Sequence, residues 1–133
     1  SYCDFVLDYD IKLSRIFKPY GVHHCGQSME HVVDGYAKIP DLTFAEVGAG
    51  SNVADVKAAL PNCRLNLRYS PVKLASVKEI DLRDELYETI NLAGGASGQV
   101  SVSCVGIDSS VSDEQIRLFL DILKEIDNNE RRI

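Results

Sequence analysis

The chain has 133 residues, of which 45% are hydrophobic and 26% charged, with 20 acidic against 14 basic side chains and a net charge of -6. That is the size and balance of one globular domain with a core of its own. It argues against a nucleic-acid surface, which needs a basic patch, and no apolar run approaches the roughly 18 residues of a membrane span.

The elements are taken in chain order. Tyr2, Phe5, Val6, Tyr9, Leu13, Ile16 and Phe17 follow helical spacing, and Pro19 closes that segment. A short strand is expected up to Cys25, followed by a helix from Met29 to Lys38 with Val32, Val33 and Tyr36 as its apolar stripe. Leu42 to Glu46 reads as the second strand. Asn52 is placed to cap a helix over Val53 to Leu60, which Pro61-Asn62 ends. Cys63 to Tyr69 is the third strand, with Leu65 and Leu67 on one face. A longer helix is expected from about Val77 to Leu92, terminated by Gly94-Gly95, and Val100 to Cys104 is the fourth strand. Ser112 and Gln115 form a capping-box pair opening the last helix, whose Ile116, Phe119, Leu120, Leu123 and Ile126 share a face. Its end, from Asn128-Asn129 into the charged terminus, is expected to fray.

A helix followed by four βα units, without linker, repeat or low-complexity tract, implies a single α/β domain over residues 1–133 with a parallel sheet. Gly48-Ala49-Gly50-Ser51-Asn52 lacks the third glycine and the context of a dinucleotide fingerprint. Between a small open sheet and half of an eight-stranded barrel, the short strands with ligand-type residues at their C-terminal ends favour the half-barrel. No secretory leader pattern opens the sequence. The regular helix and strand pattern is not that of a disulfide-stapled scaffold, so Cys3, Cys25, Cys63 and Cys104 are expected to be reduced and the protein cytoplasmic.

Two runs carry the chemistry: Gly21-Val22-His23-His24-Cys25-Gly26 and Val100-Ser101-Val102-Ser103-Cys104-Val105-Gly106. On a strand, His23 and Cys25 would point to the same face and His24 to the other, against a helix. Asp41-Leu42-Thr43-Phe44-Ala45-Glu46 lies between them in sequence and ends in a carboxylate. His23, Cys25, Glu46 and Cys104 on neighbouring strand ends form an N/O/S₂ donor set suited to zinc. Arg68 and Asp108 also fall at or just after strand ends, where they could bind a substrate carboxylate or orient a ligand. Cys63, at the opposite rim, and Cys3, on the first helix, read as structural. Each candidate also has a plain alternative: a carbonyl-bonded interior histidine, packed small cysteines, a polar strand-end glutamate, solvated loop charges.

At these residues the chain resembles the uroporphyrinogen decarboxylase superfamily, in its corrinoid-dependent methyltransferase branch, over nearly the whole length as the C-terminal half of a (β/α)₈ barrel. In that branch a His-x-Cys motif and a distant Cys bind zinc, and the related cobalamin-independent methionine synthases use His-x-Cys, Glu and Cys in this chain order. His23-His24-Cys25 matches the motif, with Glu46 one βα step and Cys104 three steps downstream. Two departures stand out: the Gly-Asn turn common after the seventh strand is Arg68-Tyr69-Ser70 here, and the N-terminal half of the barrel is not in this sequence. The resemblance implies methyl transfer from a methylated corrinoid protein to a thiol of the coenzyme M or homocysteine type, or to a tetrahydrofolate. His23, Cys25 and Cys104 would hold the zinc, with Glu46 as a fourth ligand or a partner of one.

Two alternatives remain open at this point. One is a metal-free, uroporphyrinogen decarboxylase-like fragment. The other is a non-catalytic half-barrel that serves assembly. Either way, open edge strands imply pairing, with the missing half or with a second copy, and little catalysis is expected from this segment alone.

Overall fold

Four short strands, β1 (Tyr20–Val22), β2 (Leu42–Val47), β3 (Arg64–Tyr69) and β4 (Val100–Cys104), pair side by side in chain order, every pair parallel. The computed structural model describes residues 1–95 and 100–130. Around the sheet run α1 (Tyr2–Phe5), α2 (Leu7–Ile16), α3 (Val33–Tyr36), α4 (Val53–Ala59), α5 (Pro71–Leu74), α6 (Glu79–Leu92) and α7 (Asp113–Glu130). The mixed α/β class and the all-parallel sheet expected from the alternation are both present.

The two faces of the sheet differ chemically because strand side chains alternate. Ala45, Val47, Leu65 and Leu67 are buried against the helices, and Val100, Val102 and Cys104 of β4 pack on the same core. Helices α3, α4, α6 and α7 neighbour one another in that order, one layer tracking the strand order. On the other face the register aligns Glu46 with Asn66 and Ser101, and Arg68 with Ser103. Asn66 Nδ2 donates to Ser103 Oγ, and Ser101 Oγ donates to Asn66 Oδ1, both at 3.0 Å. This second face is polar across β3, β4 and the end of β2, with Phe44 beside Arg64 lower on β2.

Several elements differ from the sequence expectation for identifiable reasons. The single first helix is broken at Val6, whose φ stretches to -116° while ψ stays at -39°. The break lets Tyr2 turn back to donate to Asp10 and set its ring edge-on against Tyr36. Phe5, Tyr9, Ile16 and Phe17, which follow the helical spacing, are exposed. The helix expected over Met29 to Lys38 shortens to α3, because Val32 and Val33 both donate to the Met29 carbonyl in a tight turn first. Residues 71–74 form an unexpected turn of helix with Ser70 as cap and Pro71 at its first position. At α7 only half of the capping box forms. Gln115 N donates to Ser112 Oγ, but the Gln115 amide donates to the carbonyls of Leu74 and Val77, tying α7 to the end of α5. Gly94 and Gly95, both at positive φ, close α6 as expected. The helix α7 runs through Asn128-Asn129 to Glu130, and the last three residues of the expected frayed end lie outside the described ones.

Asp10 joins α2 to α1 and to the edge strand, accepting from Tyr2 Oη at 2.5 Å and from Tyr20 Oη at 2.8 Å. Burial, and then the bond to Asp10, push Tyr20 up to about 12 from 10.0. The unfolded chain therefore releases this proton first, so stability present below pH 10.0 should fall as pH rises from there to about 12. Tyr2 shifts in the same direction. Tyrosinate absorbance with parallel circular dichroism should show late ionisation together with alkaline loss of stability, and Tyr20→Phe should weaken that loss.

Candidate functional site

The candidate site forms where the ends of β2 and β3 meet the connection after β1. Strand β1 stops at Val22, earlier than expected, so His23, His24 and Cys25 lie in the connection. The chain leaves the sheet there because the following loop docks on the loop after β2. Gly50 N donates to the Gln27 carbonyl at 2.8 Å, Met29 N to Ser51 Oγ at 3.1 Å, and Asn52 N to Glu30 Oε1 at 2.6 Å. Gly48 makes this approach feasible, since a Cβ there would lie 2.4 Å from the carbonyl oxygens of both Gly26 and Gln27.

Glu46 is the buried charge of the site, only 8% exposed. Its Oε2 lies 2.5 Å from His23 Nδ1, on a His23 side chain open to solvent. A carboxylate oxygen only accepts, so Nδ1 donates and Nε2 is the ring nitrogen left for a ligand. The other oxygen, Oε1, is buried with no hydrogen-bond partner among the described residues. The nearest cation is Arg68, with Nη1 3.7 Å away. An unsatisfied buried acceptor costs on the order of 1–3 kcal/mol, so this oxygen is a place for a donor or cation supplied from outside the chain.

The other expected site residues fall differently. Cys25 is exposed, in the docked connection. Cys104 is aligned with Tyr69 in the register. Tyr69 faces the helices, bonding Glu85 of α6 and packing against Phe119 of α7. Cys104 shares that helix-covered side, where burial raises its thiol pKa. Asp108 is exposed, and its Oδ1 accepts from Ser110 N in a local turn that lowers its pKa. His24 is buried as expected, against Tyr36 of α3, with its Nε2 2.9 Å from the Ser28 carbonyl oxygen. His31 stands edge-on to His24. Cys63 is buried with its Sγ 3.0 Å from the Leu42 carbonyl. The Asn66, Ser101 and Ser103 ladder escaped the sequence reading, although the alternation with Leu65, Leu67, Val100 and Val102 carries its signal.

Tested against zinc, the donors fit in kind: an imidazole with one nitrogen uncommitted, a buried carboxylate with an unpartnered oxygen, and an exposed thiol. They do not converge into a complete centre. Among the described residues no group of three or more His, Cys, Asp or Glu side chains is placed to hold a metal ion. The pair already assembled is His23 with Glu46. A cavity of about 290 Å³ lies nearby, lined in part by Ser51, Arg68, Ser70, Lys73 and Glu85. The hydroxyls of Ser51 and Ser70 and the Lys73 ammonium are engaged by neighbours within the fold. Among the described residues no helix is long and apolar enough to cross a membrane.

Gly48→Ala should cost about 1–3 kcal/mol in urea unfolding, because its clash is with backbone that cannot swing away. Gly50→Ala, whose nearest contact is the Gln27 carbonyl oxygen at 3.3 Å, should cost under about 1 kcal/mol. Equal losses would show that the docking does not depend on close approach at Gly48.

No family model matches the chain, and no curated protein matches it in sequence.

Proposed function

We propose that this chain is the C-terminal half of a (β/α)₈ barrel of the uroporphyrinogen decarboxylase type. On this reading it contributes to zinc-dependent methyl transfer from a methyl-corrinoid protein to a small thiol or a tetrahydrofolate, in the cytoplasm. The observation that carries it is the His23–Glu46 pair with the unpartnered Glu46 Oε1, at the C-terminal edge of a parallel sheet in consecutive strand order. That is the edge where sites on such sheets form. The residues that would hold the metal are His23, Cys25 and Cys104, with Glu46 as a further ligand or as the group that orients His23. Bound zinc would stabilise an acceptor thiol as thiolate.

The protein side follows from the geometry. Glu46 holds the His23 ring by Nδ1 and so directs Nε2 outward. The docked loop carries Cys25 two residues after that ring, with its thiol exposed. Cys104, the last residue of β4, has to turn its thiol from the helix side to the rim. The uncovered polar face, the edge strands β1 and β4, and the exposed apolar side chains of α1 and α2 leave surfaces for the other half of the barrel and the corrinoid protein.

A second reading is favoured by two observations: Cys104 sits on the helix side, and the described donors form no group of three. This is a metal-free, decarboxylase-like fragment in which Glu46 and Arg68 serve a polar ligand directly.

Elemental analysis decides between them. Protein purified without added metal should carry about one zinc per chain, greatly reduced in Cys25→Ala and in Cys104→Ala. Zinc lost only in Cys25→Ala would remove Cys104 from the ligand set. No zinc after reduction and reconstitution would leave the metal-free reading.

A further inference from the structure

Arg68 sits where three strand ends meet, with its side chain 16% exposed. Its Nη1 donates to the His24 carbonyl and its Nη2 to the Gly26 carbonyl, each at 3.4 Å. The same Nη1 lies 3.7 Å from Glu46 Oε1. The two carbonyls flank Cys25 on either side. A planar guanidinium with fixed N–H directions can span two carbonyls and still face a carboxylate, whereas an ammonium group acts as a single point charge.

The far half of the connection already has its own anchors. Gln27, Met29 and Glu30 are tied to Gly50, Ser51 and Asn52. The stretch from His24 to Gly26 reaches β3 through Arg68.

We infer that Arg68 is a positioning residue: by bridging the carbonyls on both sides of Cys25 to Glu46, it fixes the backbone that carries Cys25 on the rim of the His23–Glu46 pair. The use made of the Cys25 thiol rests on the metal reading above, but the bridge itself needs no metal. Arg68 thus couples three elements, the connection after β1, the end of β2 and the end of β3, into one rim.

The test uses metal-free protein and backbone amide order parameters from nuclear spin relaxation. Cys25 and Gly26 should give values near the rigid-backbone level of about 0.85, falling toward about 0.6 in Arg68→Gln. Amides of β4 and α7 should not change. Arg68→Lys keeps the charge near Glu46 but lacks the fork, and should leave the loop as mobile as in Arg68→Gln. It also carries the test if Arg68→Gln fails to fold. Unchanged order at Cys25 and Gly26 in the variants, full rescue by lysine, or an equal loss of order across the whole chain would each overturn the inference.

A cobalt(II) titration, read by the thiolate-to-metal charge-transfer band, separates this from the reading it rests on. Cobalt affinity should fall by about 10-fold or more in Arg68→Gln. A wild-type protein that shows no such band would sink the metal reading, while the order parameters would still decide the role of Arg68.

Discussion

Covering one face of a parallel sheet with helices leaves the other face to find its own company, and most of this molecule follows from that constraint. Parallel sheets are normally buried on both sides. Here the helix side takes Ala45, Val47, Leu65 and Leu67, while Glu46, Asn66, Arg68, Ser101 and Ser103 line the other. Because all strands run the same way, their C-terminal ends share one edge. A polar group near the end of any strand therefore joins the same rim. The Asn66 ladder satisfies the middle of the polar face internally, which leaves the uncompensated polarity at Glu46.

The rim is held by backbone as much as by side chains. Gly48 lets the connection after β1 approach closely, and the amides of Gly50 and Asn52 and the hydroxyl of Ser51 fasten it. Irregular chain in a packed position has to place its N–H and C=O groups somewhere. This connection places them on a second loop, which gives an irregular segment some of the definition of a strand. His23 and Cys25 inherit that definition, although neither lies in β1.

How far the site is legible in the sequence depends on what kind of information each residue needs. Glu46 near the end of β2 meets His23, one residue past the end of the neighbouring parallel strand β1, and alternation with chain order is enough to suggest that. The polar face is equally written in Leu65-Asn66-Leu67-Arg68 and Val100-Ser101-Val102-Ser103. The side taken by Cys104 depends on register and on where β4 ends, and a shift of one residue reverses it. The break at Val6 is a tertiary effect: helical spacing runs through it, and the contacts of Tyr2 with Asp10 and Tyr36 accompany the turn. The reach of Arg68 across two strands to carbonyls far away in sequence has no local signature at all.

Glu46 shows why these distances matter for function. A buried carboxylate is stable when opposite charge and donors satisfy it fully. Here His23 occupies one oxygen from a solvent-exposed ring, and Arg68 stands 3.7 Å from the other, with its Nη donors directed to carbonyls at 3.4 Å. Were Arg68 to close on Oε1, the carboxylate would be satisfied internally and the rim would have little to offer. Were Arg68 absent, the charge would face only His23. The intermediate arrangement keeps one carboxylate oxygen available, beside an imidazole nitrogen aimed outward, within a rim whose backbone is already fixed. A cation or a hydrogen-bond donor arriving there would complete the coordination of Glu46 without first having to order the chain.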